Sequence, residues 1–216
     1  MHLLNCYQLE QYLNNYCIQN KKTNALRALY LIQELHKDQY RKEGDPFIIH
    51  PMSIARDAIA LGLDSDQILT IALLHDVEED CGINTETLGF DASITQPVHL
   101  LTKRKVPKPE KQKELQRYFT AIPNSKEATI IKLLDRKNNL STMVNAFSYE
   151  KMLEYIEETE TYCIPLLESI KQYPDLENFY YTIKGFYIPF LESFHYQHNL
   201  LEEKENNFTY QKKPIN

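Results

Sequence analysis

The stretch Ala72–Asp80 reads ALLHDVEED, and its reading decides the rest of the chain. An apolar run ends in His75 and Asp76, and Glu78, Glu79 and Asp80 follow at once. Acids that follow an apolar helix ordinarily mark the point where it breaks into solvent. At the inner end of a helix the same residues form one wall of a metal site. On a continuous helix His75 shares a face with Glu79, and Asp76 with Asp80, because i and i+4 neighbours align. His75 and Asp76 lie about 100° apart around the axis, so both reach one ion beside the helix. Unpaired buried carboxylates are costly, whereas a divalent cation with a water to activate makes use of them. Glu78 points off that face and is expected to be solvated.

Outward from this stretch the hydrophobic spacing is helical almost throughout. Residues 1–20 place Leu3, Tyr7, Leu13, Tyr16 and Cys17 on one face. A second helix carries Ala25, Ala28, Leu29, Ile32 and Leu35, with Thr23 or Asn24 as its cap. HPMSIARDAIALG forms a third, with Pro51 in the first turn and Gly62 at the C-terminal cap. Asp64 or Ser65 opens the fourth, which runs through ALLHDVEED. RKVPKPEKQKE is expected to be an exposed loop. Ser125 caps the helix that contains ATIIKLL. From Pro174 onward Phe179, Ile183, Phe186, Tyr187, Phe190 and Phe194 recur at helical spacing, with a kink at Pro189 and a frayed end over the last ten residues. Little reads as strand.

The totals narrow the function. With 216 residues the chain can bury a core without disulfide staples. A net charge of -6 argues against wholesale nucleic-acid binding. Four scattered cysteines without a C-x-x-C argue against a cysteine zinc site and suit a reducing cytoplasm. No apolar run approaches the roughly 20 residues of a membrane span. Only five glycines are present, and neither phosphate-binding glycine motif occurs.

Two further positions bear on ALLHDVEED. His50 precedes Pro51 at a helix start, after the turn GDPFII, and Asp135 ends the apolar run ATIIKLL. One histidine, a His-Asp pair and a distant aspartate, each at an apolar helix end, form a plausible ligand set. Mixed imidazole and carboxylate ligands suit Mn²⁺, Fe²⁺ or Zn²⁺ better than Ca²⁺. His36 reads as a structural residue or one that supports the site from behind, and His99, His195 and His198, which lack matching partners, read as surface or packing residues.

The segments HKDQYRKEGDPFIIHP, ALLHDVEED, LLTK and DRKNNLST occur in that order. Together they resemble the hydrolase half of the RelA/SpoT alarmone enzymes, a branch of the HD-domain metal-dependent phosphohydrolases, over residues 25 to 170. The resemblance implies metal ligands at His50, His75, Asp76 and Asp135, and catalytic acids at Glu79 and Asp80. It also implies that Arg41 packs on a guanine face and that Lys42 lies near phosphate. Asn139 and Thr142 would contact the nucleotide sugar or phosphate. A guanidinium does stack well on a flat ring, and Asn139 lies at i+4 from Asp135. The chain departs from the family pattern at Asp38, which replaces a glycine, and at Phe90-Asp91, which replaces F-G. LLTK stands for G-V-T-K, and Lys137-Asn138 stand where the family has an apolar residue and a histidine. None of these removes a ligand or a catalytic acid.

The expected fold is all-α, an HD-domain helical bundle over residues 1–172 with an aromatic-rich C-terminal helical extension over 173–216. The resemblance implies hydrolysis of the 3′-pyrophosphate of guanosine tetra- or pentaphosphate (ppGpp, pppGpp) to GDP or GTP and pyrophosphate, with one Mn²⁺. The alternatives are an HD hydrolase acting on another nucleotide, and a non-catalytic module that binds a nucleotide or a partner. The expected partner is a small nucleotide, not nucleic acid or membrane. The aromatic extension is expected to pack on its own domain or on a second copy. Too few residues follow position 170 for a synthetase domain.

Overall fold

Helix α4 (Asp66–Leu74) organises the molecule because it is apolar on all sides. Every residue from Leu69 to Leu74 is buried, and a helix of that kind must be surrounded. In the computed structural model α4 packs against α2 (Thr23–Leu35), α3 (Ile49–Ala60), α6 (Ala92–Leu101) and α8 (Lys126–Ala146). Its last residue therefore opens into the bundle and not into solvent. The structure describes residues 5–42 and 44–211, the last eight of these without their side chains. Among them no strand forms, and a single antiparallel bridge joins Tyr40 to Pro46. No described helix is long and apolar enough to cross a membrane.

Helix α1 (Cys6–Gln19) is held at its start by a capping box, in which Asn5 and Gln8 bond each other's backbone. It buries Leu9, Leu13 and Cys17, whereas Tyr7, expected on that face, is exposed. Leu3 lies outside the described residues. Helix α2 begins at Thr23, but neither Thr23 nor Asn24 caps it. The carboxylate of Asp66 does so from the first turn of α4, accepting from Asn24 N at 3.1 Å and Ala25 N at 2.9 Å. Pro51 and Gly62 (φ +74°) sit where expected around α3. Ser65 caps α4, accepting from Ile68 N at 3.1 Å.

The fourth helix does not run on through ALLHDVEED. It stops at Leu74, and a short helix α5 (Val77–Cys81) restarts after His75 and Asp76. The polar part of RKVPKPEKQKE is also less loop-like than expected, since α7 (Lys111–Ala121) begins inside it. Helix α8 is capped by Ser125, whose hydroxyl accepts from Ala128 N at 3.1 Å. It keeps nine consecutive positions buried, from Ala128 to Arg136, because the polar side chains among them, Lys132, Asp135 and Arg136, find partners.

Helix α9 (Tyr149–Glu158) passes through a π-helical turn at Thr159–Cys163 into α10 (Ile164–Ser169). The aromatic extension is one helix, α11 (Glu177–Gln211), which continues through Pro189. Phe179, Ile183, Tyr187 and Leu191 are buried, and the Tyr187 hydroxyl donates to Leu133 O of α8 at 2.7 Å. Tyr181, Tyr196, Leu200 and Leu201 remain exposed. Of the last ten residues, expected to be frayed, 207–211 continue α11 and 212–216 lie outside the described residues.

Candidate active site

The break after Leu74 creates the site. At the end of a helix the last carbonyls have no intrahelical donor, and His75 Nδ1 donates to one of them, Ala72 O, at 2.8 Å. That bond turns the His75 Nε2 lone pair toward the bundle interior. Asp76 takes the N-cap position of α5, with Oδ2 3.1 Å from His75 Nε2 and 3.5 Å from His50 Nε2. His50 comes from the first turn of α3, and its Nδ1 lies 2.8 Å from Asn138 Oδ1 of α8. Ligand atoms of His50, His75 and Asp76 all lie within 4.8 Å of one another, the one such group found among the described residues.

Asp135 joins this group through His50, with Oδ1 3.2 Å from Nε2. Its carboxylate is otherwise well held. Lys132 Nζ donates to Oδ2 at 2.7 Å, and Asn139 Nδ2 donates to Oδ1 at 2.5 Å. Burial opposes ionisation of Asp135, but Lys132 and the two histidines outweigh it and hold the carboxyl well below its usual range. Burial likewise favours neutral His75, yet Asp76 and Asp135 push it up to about 9.

The donor set fits a divalent cation. His75 Nε2 is buried without a hydrogen-bond partner among the described residues. With Nδ1 donating to a carbonyl, the neutral ring would set that lone pair against the Asp76 oxygen. Only a positive charge between them relieves this, either a proton or a metal ion, and metal binding displaces the proton. Both histidines have Nδ1 against an oxygen and Nε2 facing the carboxylates, the arrangement that prepares imidazoles for ligation.

A cavity of about 220 Å³ opens over these groups. His50, His75, Asp76, Glu79, Asp80, Asp135, Arg41 and Asn139 all line it. Glu79 is anchored, its Oε2 accepting from Lys103 N at 3.1 Å. Asp80 stands at the rim, where partial burial and then the charges of Asp76 and Glu79 push its carboxyl up to about 6. Arg41 Nη2 reaches Asn139 Oδ1 at 3.3 Å and Thr142 Oγ1 at 3.4 Å. The structure does not place the other two expected contacts on the wall. Thr142 lies behind Arg41, and the exposed Lys42 extends over the Phe147 ring at 5.2 Å.

Glu78 overturns its reading as a solvated acid. Its side chain is 7% exposed and pairs with His99 at 2.7 Å. It accepts from Thr85 N at 2.9 Å and from Thr85 Oγ1 at 2.5 Å, tying down the turn after α5. A larger cavity of about 740 Å³ lies beyond this pair. Thr102 and Arg104 line it, while Lys103 between them lines the smaller one. Titratable groups converge on the smaller cavity, so the chemistry is read there. His36 is a packing residue, stacked on Phe47 with centroids 4.6 Å apart.

Reading the sequence missed Lys103, Tyr118, Lys132 and Tyr155, which complete the cavity wall. Lys132 carried a signal, since a lysine inside an apolar run needs a buried partner. Lys103 lies inside the LLTK segment; burial and the neighbouring Lys132 hold its ammonium below the usual lysine range. Nothing local distinguished the tyrosines. Asn138, counted as a departure, is the residue against His50.

No family model matches the chain. Curated relatives do. A guanosine-3′,5′-bis(diphosphate) 3′-pyrophosphohydrolase of Vibrio cholerae is 34% identical over 150 residues, 66% of this chain and 21% of the relative. The enzyme of the same name from Aquifex aeolicus is 33% identical over 144 residues, 65% of this chain and 20% of its own. The chain thus spans about a fifth of the length of these relatives. A solved metazoan ortholog of SpoT, described as hydrolysing ppGpp, superposes with a TM-score of 0.63 at 19% identity, covering 76% of this chain and 94% of that one. In sequence and in fold this chain resembles a ppGpp-hydrolase domain. The all-α HD-type bundle is therefore the shared architecture, and the cavity just described lies in it.

Proposed function

We propose that this protein hydrolyses the 3′-pyrophosphate of guanosine tetra- or pentaphosphate, releasing pyrophosphate and GDP or GTP, with Mn²⁺ at His50, His75, Asp76 and Asp135. The observation that carries this reading is one small cavity whose walls combine the imidazole–carboxylate group with Glu79, Asp80 and the cations Arg41, Lys103 and Lys132. The acids suit a cation and a water; the basic side chains suit the oxygens of a polyphosphate. The similarity to enzymes named for this reaction supports the same substrate.

A bound divalent ion would supply Lewis-acid polarisation of the phosphoryl oxygen and lower the pKa of a water. The protein's own groups do the rest. Water adds to the phosphorus on the 3′-oxygen, the P–O3′ bond breaks, and the 3′-oxygen is left as a hydroxyl. Glu79, held by Lys103 N, orients the water and accepts its proton, which Asp80 at the rim returns to the departing 3′-oxygen. Arg41 stacks on the guanine, steadied by Asn139 and Thr142. Residues 1–172 form the hydrolase unit in this reading, and α11 is an extension packed on it.

The test is product analysis on purified protein with Mn²⁺ across guanosine polyphosphates and other nucleotides. Release of pyrophosphate from ppGpp is expected; release only from a different nucleotide would replace the substrate, and release from none would reject the enzyme. Glu79→Gln is expected to lower turnover by about 10²–10⁴-fold while Mn²⁺ affinity, measured calorimetrically, stays near wild type.

Asp80 gives a pH-dependent expectation. Burial and the neighbouring acids hold its folded pKa at about 6, above the ordinary carboxylate value of 3.8. The folded state therefore disfavours the carboxylate, and the penalty is present above pH 6 and absent below the unfolded pKa. Asp80→Asn is expected to raise the melting temperature of metal-free protein at pH 7, to leave it unchanged near pH 3.5, and to lower turnover. Equal melting at both pH values would show that Asp80 carries no such penalty.

A further inference from the structure

The two histidines of the site solve one problem in different ways. Each can offer Nε2 to a cation only if the ring proton sits on Nδ1, and that proton needs a buried acceptor. His75 stands at the C-terminal end of α4, where carbonyls are unclaimed, and it takes Ala72 O. His50 stands in the first turn of α3. A helix start presents free N–H groups and not carbonyls, and Phe47 O, three residues back, already accepts from His50 N at 3.0 Å. His50 has to find its acceptor on another element.

Asn138 is that element's contribution. Its Oδ1 lies 2.8 Å from His50 Nδ1, 88 positions away along the chain, in a buried contact. On the far side of the ring, Asp135 Oδ1 and Asp76 Oδ2 stand at 3.2 and 3.5 Å from Nε2. Without an acceptor at Nδ1 those two carboxylates would draw the ring proton to Nε2, where it would block ligation.

We infer that Asn138 is a positioning residue for the metal ion. Its amide oxygen keeps the His50 proton on Nδ1 and the ring edge toward Asp76 and Asp135. This rests on reading the cavity as a metal site. It does not require that the substrate be ppGpp.

The test compares Asn138→Leu, of similar size but without an acceptor, with Asn138→Asp, which keeps the oxygen. Mn²⁺ and Zn²⁺ are titrated into the full-length proteins by calorimetry, with circular dichroism as the folding check. Asn138→Leu is expected to bind about 10–100-fold more weakly, and Asn138→Asp at least as tightly as wild type. A Leu variant with wild-type affinity, or an Asp variant as weak as the Leu variant, overturns the inference. Should the Leu variant not fold, ¹⁵N chemical shifts of the His50 ring in Zn²⁺-loaded wild type decide. A proton on Nδ1 supports the assignment, and one on Nε2 overturns it. A wild-type protein that binds neither ion overturns both this inference and the metal reading. One that binds metal without hydrolysing ppGpp overturns the proposed function alone.

Discussion

An Asp76→Ala protein is expected to lose Mn²⁺ binding and, with it, pyrophosphate release from ppGpp, by on the order of 10³-fold or more. Asp76 is the shared vertex of the site, with one oxygen 3.1 Å from His75 Nε2 and 3.5 Å from His50 Nε2. No neighbour substitutes for it. Asp135 is already committed to Lys132 and Asn139, and Glu79 to Lys103 N. The loss in affinity should exceed the 10–100-fold typical of residues that only support a ligand. The fold should survive, because Asp76 is partly open to solvent and His50, the residue of another helix that it approaches, is also held by Asn138. Calorimetry with Mn²⁺, a pyrophosphate assay and circular dichroism together make the check. Wild-type turnover in this variant would remove the metal site as the seat of the reaction.

Arg136→Met is expected to lower the melting temperature by on the order of 10 °C. Arg136 is fully buried on α8, directly after Asp135. It pairs with Glu158, donates to Tyr155 O and Thr159 Oγ1 at 3.2 Å each, and lies 3.8 Å over the Tyr155 ring. The π-helical turn at Thr159–Cys163 begins at that contact. Removing the guanidinium leaves Glu158 with Lys103 at 3.4 Å as its remaining ion pair. Breaking one side of a buried pair costs about 3–5 kcal/mol. Burial opposes the Glu158 charge, but Arg136, Lys103 and Lys132 push its carboxyl down to about 2 from 4.5. The network's stabilisation is therefore present above pH 4.5 and lost as the pH falls toward 2. Replacing Glu158 by leucine in the same protein should recover much of the loss, since a buried pair removed whole is often tolerated. Thermal melts of the single and double variants test this; a single variant melting as wild type would show that the pair contributes nothing.

Lys103 links these two results. It borders the cavity, pairs with Glu158, and its backbone holds Glu79. The Arg136 network thus sits directly behind the proposed acid and the Asp135 carboxylate. A stability effect at Arg136 should be accompanied by lower turnover at temperatures where the variant is still folded.

Much of the site was legible because its signals are local. His75-Asp76 closes an apolar run, His50 opens a helix before a proline, and Asp135 interrupts ATIIKLL, each a chemical misfit visible within a few residues. The misreadings have a common origin. Helical phase points Glu78 to solvent, but α5 restarts after a break and the neighbours of Glu78, Thr85, His99 and Thr102, come from later segments. Thr23 and Asn24 looked like caps, while Asp66 supplied the cap from over forty positions away. Lys42 shared a motif with Arg41, yet the two side chains diverge, one to Phe147 and the other to Asn139.

By itself the sequence determined the helical class, the buried character of α4 and the identity of the residues that meet at its end. Hydrophobic period and residue chemistry are properties of short segments, and they do not depend on what the segment packs against. Only the tertiary structure decided the break at His75-Asp76, the burial of Glu78, the pairing of Asp135 with Lys132 and the role of Asn138 beside His50. Those outcomes depend on which acceptors and charges a buried group meets. Packing α3, α4 and α8 together supplies them from parts of the chain that carry no local mark of one another.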